Sequence, residues 1–342
     1  MRGDRVWLMD KNWLPKLNGN PLEWMLESNP WARHGTLTDL MGYPKDAREV
    51  MVARKQVVEH PLMQQLITEA SDWLPRAATR NNDPKLSYFK LRMLADFGFQ
   101  AKDEGIEKIA RFAMAHMEDG LFACRGQVPE RPQKGENYIK PDPYADHWHI
   151  APCNSPMITY SLLALGFKNV SIDKSVERLR VLWQSEAVWF CHLFFVESQF
   201  KKLNVGCPIA ALMALDVFSL KSELKESVSA KNAYTALQFH KEYGKTIYYF
   251  GRSKNFWTFK YPYVWYNGLY LANVLSRFLT FKDTPILQEC IAWILNSQDE
   301  KGRFKATSIF LPYKHWDFGS KKEASPWITF LCCRILKRVF NS

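Results

Sequence analysis

Six prolines set the frame of this sequence, because each stands at the start of a helix-length apolar run: Pro30, Pro84, Pro156, Pro208, Pro262 and Pro326. Successive intervals are 54, 72, 52, 54 and 64 residues, room for one helix pair and its connections. A first-turn proline loses nothing there, since the amide it lacks has no helical acceptor. Asn29, Asp83, Ser155 and Ser325 precede four of the prolines and are good N-caps. Three runs end at a glycine, Gly42, Gly98 or Gly166, suited to a left-handed C-cap. The stretch Lys260–Phe278, KYPYVWYNGLYLANVLSRF, is apolar or aromatic on every side of a helix begun at Pro262, so protein must surround it. Asn267, Asn273 and Arg277 interrupt it, and it is too short to cross a bilayer.

Between these runs lie amphipathic segments. Residues 46–74 read as helical with a break at Pro61, and in the next such segment Ile106, Ile109, Phe112, Ala113 and Met117 recur at three- and four-residue steps. Similar patterns occupy 171–186, 230–244 and 284–304. Buried helices alternating with half-exposed ones predict an all-α fold, an (α/α)6 toroid of six inner and roughly six outer helices around a central cavity. The repeat leaves no place for a domain boundary, so residues 29–342 read as one domain. Residues 1–28, with Trp7, Trp13 and Trp24, read as a wrapping arm and a short helix.

The turn SQDEKGRF, to which HMEDGLF is kindred, resembles the Q-x3-G-x-[FW] repeat of terpenoid cyclases and protein prenyltransferase β-subunits. The segments NPWARHGTLTDLMGYP, RSKNFWTFKYPYVWYNGLYLANVLSRF and DFGSKKEASPWITFLCCRILKR resemble a bacterial family described as prenyltransferase- or squalene-cyclase-like. That resemblance implies a toroid with a cavity and, for activity, a transferase or lyase/isomerase of terpenoid type. The substrate implied is isoprenoid or otherwise hydrophobic, with an anionic head. The chain lacks the D-x-D-D acid motif of the cyclases and the D-x-C zinc motif of the prenyltransferases. Fold does not carry function with it. Two other classes stay open: a non-catalytic ligand-binding or scaffold protein, and a carbohydrate-active α/α barrel using Asp146 and Asp317 as paired carboxylates.

Hydrophobic residues make up 47% of the 342 and aromatic residues 14%, enough for a large core. Seven scattered cysteines, two of them adjacent within an apolar run, predict reduced thiols and a cytoplasmic setting. The first residues carry charge without the apolar run of a signal peptide, and no run is long enough to span a membrane. The net charge of +11 favours an anionic partner, or is simply a basic solvated surface. No dense Lys/Arg run signals nucleic acid, and peripheral membrane contact stays open.

The longest irregular segment, 123–155, ends in DHWHIAPC, which places Asp146, His147, His149 and Cys153 within eight residues. His147, His149 and Cys153 are plausible zinc ligands, but their spacing matches no established zinc ribbon or finger, so no metal and no cofactor is expected. Cys207, at the cap position before Pro208, gains thiolate character if the helix dipole acts on it, or is a small buried residue. Trp257, Tyr263, Tyr266 and Asn267 concentrate aromatic surface along one inner run, either a ligand wall or ordinary core. The loop before Pro326 brings His315, Asp317, Lys321, Lys322 and Glu323 ahead of a helix start, an acid/base or anion site or a solvated turn. The candidate catalytic residues are therefore Asp146, His147, Cys207, His315 and Asp317. Substrate contacts are assigned to Arg33, Lys85, His149, Cys153, Trp257, Tyr263, Tyr266, Asn267, Lys321, Lys322 and Trp327. Lys254 and Lys260 add charge to the same expected rim.

Overall fold

The computed structural model describes residues 12–74, 78, 82–125, 148–184, 205–243 and 250–341. Among them the chain is mostly helical, in keeping with the all-α expectation. The first helices are α1 (Leu22–Leu26), α2 (Pro30–Gly35), α3 (Arg48–Val58), α4 (Pro61–Ser71), α5 (Ser87–Asp96) and α6 (Ile106–Met114). Then follow α7 (Asn154–Ala164), α8 (Val170–Gln184), α9 (Pro208–Phe218) and α10 (Val228–Tyr243). The last are α11 (Gly268–Leu275), α12 (Pro285–Leu295) and α13 (Pro326–Phe340). Two antiparallel strand pairs, β1 (Met117–Glu118) with β2 (Leu121–Phe122) and β3 (Cys124–Arg125) with β4 (Trp148–His149), and several short 3-10 or π turns accompany them among the described residues. No described helix is long and apolar enough to cross a membrane.

The prolines open helices in three of six cases. Pro30, Pro208 and Pro326 are first residues of α2, α9 and α13, and Asn29 and Ser325 cap two of these through the amides of Ala32 and Ile328. Pro156 instead lies third in α7, and Ser155 uses its hydroxyl to accept from the Phe122 amide of β2 rather than to cap. Pro84 precedes α5 by three residues, with Asp83 Oδ1 turned to the Lys85 amide in a local turn. Pro262 begins no helix: the chain stays irregular to Asn267, whose Oδ1 accepts from the Tyr270 amide and whose Nδ2 donates to the Lys260 carbonyl. An asparagine that satisfies groups on both sides is a better start than a tyrosine before proline. Gly42, Gly98 and Gly166 all take positive φ, as a left-handed helix end requires. In α6 the buried stripe is Ile106, Ile109, Ala110 and Ala113; Phe112 faces solvent and Met117 belongs to β1.

The described chain forms two compact units. One takes in Met1–Gln64, Trp257–Tyr261 and Asn267–Ser342. Here α2 packs on α3, and α13 packs on both α2 and α11, while α12 covers α11. All eight residues of α11 are buried, whereas Glu289 and Ala292 of α12 are exposed. The Q-x3-G turn closes this unit against the N-terminal arm. Gln298 Nε2 donates to the carbonyls of Lys16 and Leu295, and its Oε1 accepts from the Asn18 amide. Gly302 is required because a Cβ there would lie 2.4 Å from the Gly19 carbonyl oxygen. That contact explains the glutamine and the glycine of the motif together.

The other unit takes in Gln65–Phe256 and Pro262–Tyr266. Helices α5, α7 and α9 pack side by side, α7 against both neighbours, with α8 and α10 laid over them. Every residue of α9 is buried, so the apolar run PIAALMALDVF is an interior helix. The turn HMEDGLF is the hairpin joining β1 and β2, with Asp119 and Gly120 both at positive φ.

Candidate functional site

Asp216 is the one charged residue of α9, and burial of the whole helix forces it to find a partner inside the protein. Arg92 of α5 provides it, donating from Nη1 to Asp216 Oδ2 at 2.5 Å. The same guanidinium donates from Nε to both oxygens of Asp96, one turn along α5, at 3.0 and 3.1 Å. Side-chain exposure is 1% for Arg92, 4% for Asp96 and 1% for Asp216, so three formal charges summing to −1 lie out of water. Aromatic faces complete the site: the guanidinium carbon lies 3.7 Å from the Tyr160 ring centroid and 5.5 Å from that of Tyr263. Met157 of α7 contacts it through sulfur at 3.8 Å. Helices α5, α7, α9 and the segment at Tyr263 thus converge on one buried, charged and aromatic cluster.

A fully desolvated ion network is a weak contributor to stability, because removing the charges from water offsets most of their attraction. Its chemistry is distinctive nonetheless. Two carboxylates and two phenol faces in a low-dielectric setting favour positive charge.

The sequence-derived candidates distribute differently. Tyr263 joins the Arg92 cluster. Tyr266 packs among Phe250, Phe256 and Trp265, and burial raises its phenol pKa. Cys207 is buried at the start of α9 and forms no side-chain cap bond. Asn267 is buried and caps α11. Trp257 lies edge-on to Trp293 and against the bare α-carbon of Gly268. Trp327 is enclosed by Tyr261 and Phe330. Trp327 is buried, whereas Trp257 is half-buried.

Asp317 is a structural hub. Its Oδ1 accepts from Trp31 Nε1 at 3.1 Å, and its Oδ2 accepts from Ser325 Oγ at 2.7 Å and the Trp327 amide at 2.8 Å. Burial raises its pKa, opposed by the Ser325 bond and the other donors. It fixes the start of α13, whereas His315, Lys321, Lys322 and Glu323 are exposed on the same loop. Arg33 is tied to the Leu26 carbonyl and to Gln56, and Lys85 and Lys254 are exposed. Lys260 is half-buried over the Phe310 ring, and burial lowers its pKa.

Asp146 and His147 lie outside the described residues. His149 is half-buried in β4, paired in register with Cys124, and Cys153 donates to Asn154 Oδ1 at 3.4 Å. Among the described residues no group of three or more His, Cys, Asp or Glu side chains is arranged to hold a metal. No family model matches this sequence, and no curated protein matches it.

Proposed function

We propose that the protein is an enzyme acting on an isoprenoid or similarly hydrophobic substrate that develops positive charge, with Asp216, Asp96, Tyr160 and Tyr263 surrounding that charge. The observation that carries this reading is the buried Arg92 cluster, in which the Asp96 and Asp216 carboxylates and the rings of Tyr160 and Tyr263 surround a positive charge. Folding alone has little use for such a cluster, since apolar side chains of the same volume would serve as well. We further propose that the helices close into an (α/α)6 toroid; the side-by-side packing of α5, α7 and α9 under α8 and α10 supports inner and outer layers.

The competing reading, a binding protein without catalysis, draws on one observation: Arg92 itself occupies the face of Tyr160. Incubation of the purified protein with farnesyl diphosphate, geranylgeranyl diphosphate and squalene, with products read by mass spectrometry, separates the two. Turnover should fall at least a hundredfold in Asp216→Asn, which leaves the Arg92–Asp96 pair intact and the cluster neutral. Absence of any turnover, or an Asp216→Asn variant as active as the parent, would overturn the enzymatic reading.

A further inference from the structure

The chain leading into α7 is tied to the strands before it at two points. His149 of β4 stands opposite Cys124 of β3, and Ser155 Oγ accepts from the Phe122 amide at 2.9 Å. Between those ties the chain makes one tight turn, in which the Ala151 carbonyl accepts from the amides of Asn154 and Ser155. Cys153 lies on that turn, after His149 and before Ser155, and is thereby returned to the side of Cys124.

Both cysteines are buried, and neither is in a disulfide. One side chain serves both. Cys153 donates to Asn154 Oδ1 at 3.4 Å. Burial pushes the Cys124 thiol up to about 12, and hydrogen bonding from the same Asn154 is what opposes it. Tyr88 is a further common neighbour: burial raises its phenol, and Cys124 and Cys153 both add to the rise. The two thiols therefore share one amide and one phenol.

They are not equivalent. Cys153 is the N-cap of α7, where the helix dipole favours a thiolate, and it is 7% exposed against 2% for Cys124. Cys124 lies deeper, where burial keeps it protonated. An accessible attacking thiol beside a sheltered resolving thiol is the arrangement that thiol–disulfide exchange uses.

We infer that Cys124 and Cys153 are a redox pair that closes to a disulfide by exchange with a low-molecular-weight disulfide such as oxidised glutathione. The Cys153 thiol gives its proton to solvent, and its sulfur attacks one sulfur of the oxidant, forming a mixed disulfide and expelling one glutathione thiolate. The Cys124 sulfur then attacks the Cys153 sulfur, and its proton leaves with the second glutathione. Two protein thiols are oxidised, and one disulfide is reduced to two thiols. The new bond ties β3 to the start of α7. This site shares no residue with the Arg92 cluster and does not depend on the enzymatic reading.

The test equilibrates the whole protein in glutathione buffers from fully reduced to fully oxidised, with circular dichroism following the fold. Samples are quenched with acid, alkylated, digested without reductant and read by peptide mass spectrometry. A peptide pair linked through Cys124 and Cys153 should grow with the oxidised fraction, at least tenfold above any other cysteine pair, and vanish on return to reduced glutathione. In Cys124→Ser the first exchange has no successor, so a glutathione adduct should accumulate on Cys153 at least tenfold above wild type. The wild-type measurement decides by itself if that variant does not fold. No linked pair in the folded wild type, other cysteine pairs linked to the same extent, or a Cys153 adduct as abundant in wild type as in folded Cys124→Ser would overturn the inference.

Discussion

His240 shows how one interior residue ties stability to pH. It is fully buried on α10, and its Nε2–H donates to the Gly206 carbonyl at 2.7 Å, anchoring the chain just before α9. Burial lowers its pKa to about 4, only partly opposed by the carbonyl bond, against 6.5 for an unfolded histidine. Between those values the unfolded chain binds the proton and the folded one does not. Its contribution is therefore full above pH 6.5, falls as pH drops toward 4, and is flat below. A gap of that size corresponds to about 3 kcal/mol at most. In His240→Asn, whose amide can still donate to Gly206, stability measured by urea titration should lose that part of its slope between pH 6.5 and 4; an unchanged slope would assign the proton elsewhere. Asp216 carried a comparable signal in plain view, as the lone charge in an eleven-residue apolar run. Its partner did not, because Arg92 lies 124 positions away and one sequence contains no measure of that proximity.

Helix starts were legible where the signal was local and chemical. Asn29 and Ser325 cap as their side chains suggest, since capping joins atoms three residues apart. Proline is a weaker marker: it fixes φ equally for a first helical turn and for extended chain. At Pro262 the second outcome holds, and Tyr263 and Tyr266 pack with the other unit instead of lining one face of α11. The aromatic stripe read along that run thus dissolves into two separate environments. Substitution should expose the difference. Asn267→Ala should destabilise the protein by roughly 0.5–2 kcal/mol through loss of the cap. Pro262→Ala should show no helix-start penalty, leaving only the unfolded-state effect of roughly 0.4–1 kcal/mol. A chemical-denaturation comparison in which Pro262→Ala costs more than Asn267→Ala would restore Pro262 as the structural start.

At the scale of the molecule, the two units are compact but neither is a continuous piece of chain. Helix α4 runs through the first boundary, between Gln64 and Gln65, and the chain changes unit again after Phe256, Tyr261 and Tyr266. Three crossings within eleven residues mean that the strands of chain entering one unit are held at both ends by the other. The proline repeat marked three helix starts of the six, and periodicity along a sequence says which segments are alike, not which ones share a core. Chains with separable domains unfold in separate steps, and interleaving argues against separability. Melting either unit would strip part of α4 of its packing. We expect one cooperative transition. Buried cysteines supply the probes: Cys290, Cys332 and Cys333 in one unit, Cys124, Cys153 and Cys207 in the other. Pulsed alkylation across a urea series, with each peptide quantified by mass spectrometry, reports the unfolding of each unit separately. The two sets should become reactive at one shared urea midpoint, and midpoints that differ beyond error would show that the units unfold independently despite the shared helix.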